Sequence, residues 1–186
     1  MIAYHIDRSN LLKEGMLINP VHPRINPELL AEVMNRRFPE GLSFHGNHYF
    51  ARQANSFMNS DGNLISNNIP SVNAYLIDNI FEYERVINFP HRPSRFQSIF
   101  CSETVREARI WVEFFQLGPE AKIWEVEIEH ENYAKLDAKW LKGDINSLSF
   151  IKFSHFAQRY WSGEPNPDES QFELLLKLPV LVKRQV

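Results

Sequence analysis

Residues 121–129, AKIWEVEIE, alternate apolar and polar over nine positions, the period of a half-buried β-strand. A shorter run of β-formers at 2–7 predicts a first strand. Ser9 then caps a brief helix through Leu11, Leu12 and Lys13 that stops at Gly15. The pattern PELLAEVMNRRF predicts a helix. Asn26 stands at its N-cap, Pro27 at its first position, acid in its first turn and Arg36 and Arg37 in its last, a distribution that suits the helix dipole.

Between Pro39 and Ser71 the chain is rich in Gly, Asn and Ser, with Tyr49 and Phe50 as its aromatic pair, and a connection of this length covers a site or hides short elements. Leu76, Ile80, Tyr83 and Ile87 recur at helical spacing and predict a helix from Val72 to about Ile87, which Pro90 stops. Residues 91–95 read as a turn and Ser98–Ser102 as a short strand. Glu103–Phe115 reads as a helix packing through Val105, Ala108, Trp111, Val112 and Phe115. Another helix falls within Asn146–Trp161, and FELLLK and VLVKRQ form two closing strands interrupted at Leu178 and Pro179. Strands and helices follow in mixed order without a βαβ rhythm or an internal repeat, so the expected class is α+β.

Composition narrows this picture. The chain has 186 residues, 44% hydrophobic and 13% aromatic, enough to bury one core, so residues 1–186 are read as a single domain. Cys101 is the sole cysteine, which excludes an internal disulfide and fits a reducing, cytoplasmic setting. The first residues lack the pattern of a signal peptide, and no window reaches the roughly 20 apolar residues a membrane span needs. A net charge of −3 gives no general attraction to nucleic acid. Arg36, Arg37, Arg52, Arg92, Arg95, Arg106 and Arg109 could still gather on one face. The nucleophile elbow, the phosphate-binding P-loop and the dinucleotide fingerprint G-x-G-x-x-G are all missing from the sequence.

Three separated segments remain: Tyr4–Arg8, Arg95–Ser102 and Gln171–Leu175. The opening YHIDRSNLLKEGMLI, the middle PSRFQSIFCSETVREARIW and the closing Gln171-Phe172-Glu173 together resemble the ADP-ribosyltransferase superfamily, in particular its small bacterial or phage toxin-like members. The resemblance covers most of the chain and rests on motifs. It departs from the family in lacking the Ser-Thr-Ser triplet of one branch and the well-placed Tyr of the other. It implies split sheets around an NAD cleft with flanking helices. NAD would then be a consumed substrate whose ADP-ribose passes to a macromolecular acceptor, protein or nucleic acid, in a toxin or defence role with an antitoxin or inhibitor as partner.

Residue by residue, the resemblance gives Glu173 the catalytic carboxylate and Gln171 a part in choosing the acceptor. His5 would hold the ribose or nicotinamide amide, or Arg8 the diphosphate; Arg95 would contact phosphate, Ser98 orient the cofactor and Phe100 stack on nicotinamide. The residue types suit these tasks. Side chains two apart on a strand point the same way, and cleavage of the nicotinamide–ribose bond develops positive charge that a carboxylate stabilises. Histidine offers a donor and an acceptor, and arginine binds phosphate in bidentate fashion.

Each residue also has a plain structural reading: a satisfied polar His5, a surface Arg8, a strand-surface Ser98, an edge-strand Glu173. Metal binding by His45 and His48, with His22 or His91, lacks a convincing third ligand, so no metal is expected. Cys101 reads as a small core residue. The rival functional class is a non-catalytic nucleotide- or protein-binding domain, and a third is a metal-dependent nuclease built on His45 and His48. Convergence of Glu173, Ser98 and His5 or Arg8 on one cleft separates the first two.

Overall fold

A computed structural model describes residues 1–23, 28–51, 69–118, 120–128, 131–142 and 150–186. In chain order the strands are β1 (Ile2–Asp7), β2 (Leu17–Ile18), β3 (Ser98–Ser102), β4 (Lys122–Glu127), β5 (Tyr133–Asp137), β6 (Phe172–Lys177) and β7 (Val180–Gln185). The helices are α1 (Glu28–Arg37), α2 (Phe44–Gly46), α3 (Ile69–Asn88), α4 (Val105–Phe114) and α5 (Phe150–Ser162). The class is α+β.

All seven strands join one antiparallel sheet in the order β2-β7-β4-β1-β3-β6-β5. The expected pair of separate sheets is therefore one continuous sheet among the described residues. β1 and β3 pair only at Tyr4↔Ser102 and His5↔Cys101, as few pairs as join β2 to β7. Ala3, Ile99, Cys101, Trp124, Val126, Leu174, Leu176, Val180 and Val182 form one buried cluster. Leu175, Ala134 and Leu136 face the opposite way, against Phe81 of α3 and Phe153, Ala157, Tyr160 and Trp161 of α5. The unbroken Leu174–Leu176 run follows from burial on both faces, for which strict alternation is unnecessary.

The stripe of α5 repeats at four, seven and eight residues, and Trp161 ties it to α3 by donating from Nε1 to the Phe81 carbonyl at 2.7 Å. α4 begins in a capping box. The Thr104 hydroxyl accepts from Glu107 N, and the Glu107 carboxylate accepts from Thr104 N. α4 covers Tyr4, Ile6 and Ile123 through Ala108 and Val112.

The helix expected after Ser9 does not form. Asp7 instead accepts hydrogen bonds from Ser9 N at 2.9 Å, Ser9 Oγ at 2.8 Å and Leu12 N at 2.9 Å, so a bend takes the amides a helix would have used. Asn26 and Pro27, proposed to start α1, lie outside the described residues, as do Arg52, Gly62 and Asn146. Of the 39–71 connection, the described part holds α2, capped by Ser43, and a π-helical turn at Asn47–Ala51. α3 starts earlier than the periodicity suggests, and the sequence reading passed over β2 and β5.

Asp137, fully buried at the end of β5, accepts from Lys139 N at 3.0 Å, Asn166 N at 2.7 Å and Gln171 N at 3.0 Å. It thereby fixes the loop that delivers Gln171 and Glu173 into β6. Asp137→Ala leaves three donors without their charged acceptor and is expected to cost about 3 kcal/mol. In urea melts the midpoint should fall with an unchanged slope; an unchanged midpoint would remove this anchoring role.

Candidate functional site

Arg95 opens a 3₁₀ turn, Arg95–Gln97, whose cap Ser94 accepts from Phe96 N. The turn sends the guanidinium back along the sheet, where it is 6% exposed and lies 4.6 Å from the Phe100 ring centroid. Nε donates to Asp78 Oδ1 of α3 at 2.8 Å. Nη1 donates to Tyr160 Oη of α5 at 2.6 Å and to Glu173 Oε1 of β6. Tyr160 Oη donates its own hydrogen bond to the same Oε1 at 2.6 Å. Glu173 is 7% exposed, and among the described residues its Oε2 has no hydrogen bond.

His45 of α2 packs at 4.8 Å from the Phe100 ring and 4.6 Å from the Tyr49 ring. Its Nε2 is 3.1 Å from Asp78 Oδ1 but lacks the alignment of a hydrogen bond. Burial pushes the Asp78 carboxyl up, yet the charges of His45 and Arg95 outweigh it and hold it well below the usual carboxylate range. For Arg95, burial works against the charge, and Glu173, Tyr160 and Asp78 more than restore it. The Tyr160 phenol is held well above its ordinary value, first by burial and then by Glu173 against the opposing pull of Arg95. Burial also raises the Tyr49 phenol, as does Asp78, while Arg8 and Arg95 act on it in the other direction.

The sequence-derived residues therefore divide. Arg95 meets both Glu173 and Phe100. Arg95 spends its hydrogen bonds on carboxylates and Tyr160, partners other than the phosphate that the resemblance implies. His5 donates from Nδ1 to the Phe100 carbonyl at 2.8 Å, since a carbonyl can only accept, and this leaves Nε2 as an acceptor. The register places His5 beside Cys101 and Cys101 beside Leu174, so His5 and Glu173 leave the sheet on opposite faces. Arg8 is exposed, stacked 3.7 Å over the Phe115 ring, and reaches the site only through its charge on Tyr49. Ser98 is 1% exposed and donates to the Ser94 carbonyl at 2.7 Å, so its hydroxyl closes the turn away from Glu173. Gln171 lies at the mouth of β6 with Nε2 buried and without a hydrogen-bond partner.

Asp78 and Tyr160 were not singled out from the sequence, and His45 was weighed there only as a metal ligand with His48. Asp78 shares a helical stripe with Phe81 and Glu82, so acids at the spacing of an apolar face were the available signal. No three metal-ligating side chains gather among the described residues. Cys101 is buried, and burial pushes its thiol well up. Arg95, enclosed by carboxylates, drops out of any surface arginine patch.

His5 also makes a pH prediction. Burial lowers its pKa below 6.5, with Arg8 adding to the effect and the Phe100 carbonyl and Asp7 opposing it. A depressed folded pKa means the unfolded chain binds the proton more tightly, so stability present above pH 6.5 is lost as pH falls towards the folded value. Asp78, Asp7 and Asp137 act likewise further down, below about pH 4. Melting temperature should decline from pH 7 to 5 in the wild type and stay flatter in His5→Gln; parallel profiles would refute the assignment.

Fold and site together define an α+β protein with a buried, charged cluster spanning two helices, a turn and the interior strand β6. The chain belongs to the family described as "Protein of unknown function (DUF2441)", which matches residues 3–186. No curated protein matches the chain. Among the described residues no helix is long and apolar enough to cross a membrane.

Proposed function

We propose that the chain is an NAD-consuming ADP-ribosyltransferase in which Glu173 is the catalytic carboxylate. The observation that carries this reading is the state of that group: buried at the start of β6, gripped through Oε1 by Arg95 and Tyr160, with Oε2 unbonded among the described residues. A carboxylate fixed by one oxygen can present the other to a ribose hydroxyl and oppose the positive charge that develops as nicotinamide leaves. The electron pair of the C–N bond departs with nicotinamide. ADP-ribose is then captured by a nucleophile of a protein or nucleic-acid acceptor.

Other features support the same reading. The segments carrying His5, Phe100 and Glu173, distant in sequence, are the adjacent strands β1, β3 and β6. The unpartnered Gln171 side-chain amide is a donor waiting for a ligand or acceptor group. The reading extends to a toxin or defence role in the cytoplasm, opposed by an inhibitor protein.

Two observations favour a second reading, a non-catalytic binding domain in which this network only shapes the core: Arg95, Asp78, Tyr160 and Glu173 satisfy one another, and His5, Arg8 and Ser98 do not converge with Glu173 on one cleft. Purified protein incubated with NAD labelled in the nicotinamide and adenylate parts, with and without cell lysate, separates the two. Release of nicotinamide with label on protein or nucleic acid supports the transferase. Absence of both release and NAD binding refutes it.

A further inference from the structure

At the C-terminal end of α3 a cavity of about 240 Å³ opens to solvent, lined among others by Arg85, His91, Arg92, Ser94, Gln97 and Lys177. No acidic residue lines it. Its cations are in different states. Arg85 is held by Glu82 at 2.8 Å and donates from Nη1 to the Arg92 carbonyl at 3.0 Å, so it acts as a brace. Lys177 contacts Glu40 at 2.6 Å, but that carboxylate is 60% exposed, and ion pairs of this kind are weak.

Arg92 has no ion pair among the described residues, and its Nε is buried without a hydrogen-bond partner. An N–H buried without a partner is costly, and a ligand oxygen that draws the half-exposed guanidinium into the cavity can offset that cost. The backbone beneath it is preorganised. Pro90 and Pro93 flank the turn, and Arg92 N donates to the Phe89 carbonyl at 3.0 Å.

We propose that this cavity binds a phosphomonoester, with Arg92 as the bidentate partner and Lys177, released from Glu40, as the second charge. Two cations match a group of charge about −1.5 to −2 better than they match a carboxylate, and the arginine fork fits phosphate oxygens. The volume is below the roughly 300 Å³ at which pockets for larger ligands begin, so the phosphate enters and what it is attached to stays outside. The site is separate from Glu173. Lys177 and Glu173 lie four residues apart on β6, about 13 Å along the strand. The proposal holds whether or not Glu173 cleaves NAD.

The test is titration of the full chain with methyl phosphate, inorganic phosphate and acetate at constant ionic strength, followed by amide chemical shifts and calorimetry. Methyl phosphate is expected to saturate at millimolar concentration or below, to shift the 91–97 amides, and to weaken at least about tenfold in Arg92→Gln. Lys177→Gln should weaken it less, and serves as the test if Arg92→Gln fails to fold. Comparable binding of inorganic phosphate identifies free phosphate as an additional source of the same chemistry. Lack of saturation by methyl phosphate, binding matched by acetate, or affinity unchanged in both variants would overturn the assignment.

Discussion

Glu173→Gln is expected to cut nicotinamide release from NAD by roughly 10³-fold while the protein stays folded. Glutamine keeps the shape of the side chain and an acceptor oxygen for Arg95 Nη1 and Tyr160 Oη, so the links to the turn and to α5 persist. What it lacks is the negative charge that would oppose an oxocarbenium-like centre. The structural cost should be that of weakening a charge-assisted hydrogen bond, about 2 kcal/mol, and Arg95 retains Asp78 as its counter-ion. Thermal melts and release rates must therefore be read together. A small drop in melting temperature with near-complete loss of release makes Glu173 catalytic. Equal release by both proteins would remove Glu173 from the chemistry and, with it, the transferase reading. The network would then be structural.

Legibility differed between fold and site for physical reasons. β4 alternates over enough residues to stand out, and α4 and α5 carry stripes that burial by the sheet reproduces. β5 also alternates, with Ala134 and Leu136 buried between exposed Tyr133 and Lys135, but it is five residues long and enters from a polar segment. β2 has two residues, too few for any period. The false helix after Ser9 arose because propensity favoured one, whereas Asp7 offered its carboxylate to the same amides. Glu173, Arg95 and Phe100 were legible as chemistry on strands and turns. Their partners were not, because Asp78 and Tyr160 lie on helices, where a polar group on an apolar face acquires meaning only once the opposite wall is known. Ser98 failed as a site residue because its hydroxyl had a carbonyl four residues back within reach.

Replacing Arg95 by Met should be the most damaging single change to stability, about 3–5 kcal/mol at neutral pH. The side chain is buried among Asp78, Glu173 and Tyr160, so its loss strands two carboxylates that are 4% and 7% exposed. That magnitude approaches the whole stability of many domains, and urea melts should show a large fall in midpoint. The pH dependence follows from the same charges. In the wild type Asp78 is held low by His45 and Arg95 against burial, so it contributes stability above the unfolded aspartate value and loses it as pH falls. In Arg95→Met the lowering by His45 remains while that of Arg95 is lost, so burial is opposed less, the carboxyl rises, and the deficit should be greatest at neutral pH and shrink towards pH 4 as the proton arrives. Adding Glu173→Gln to Arg95→Met removes one stranded charge, and the pair should be more stable than the sum of the single effects allows. A neutral Arg95→Met, or strict additivity with Glu173→Gln, would mean that the cluster does not hold helix α3, the turn and strand β6 together, and that the position of Glu173 is set by apolar packing alone.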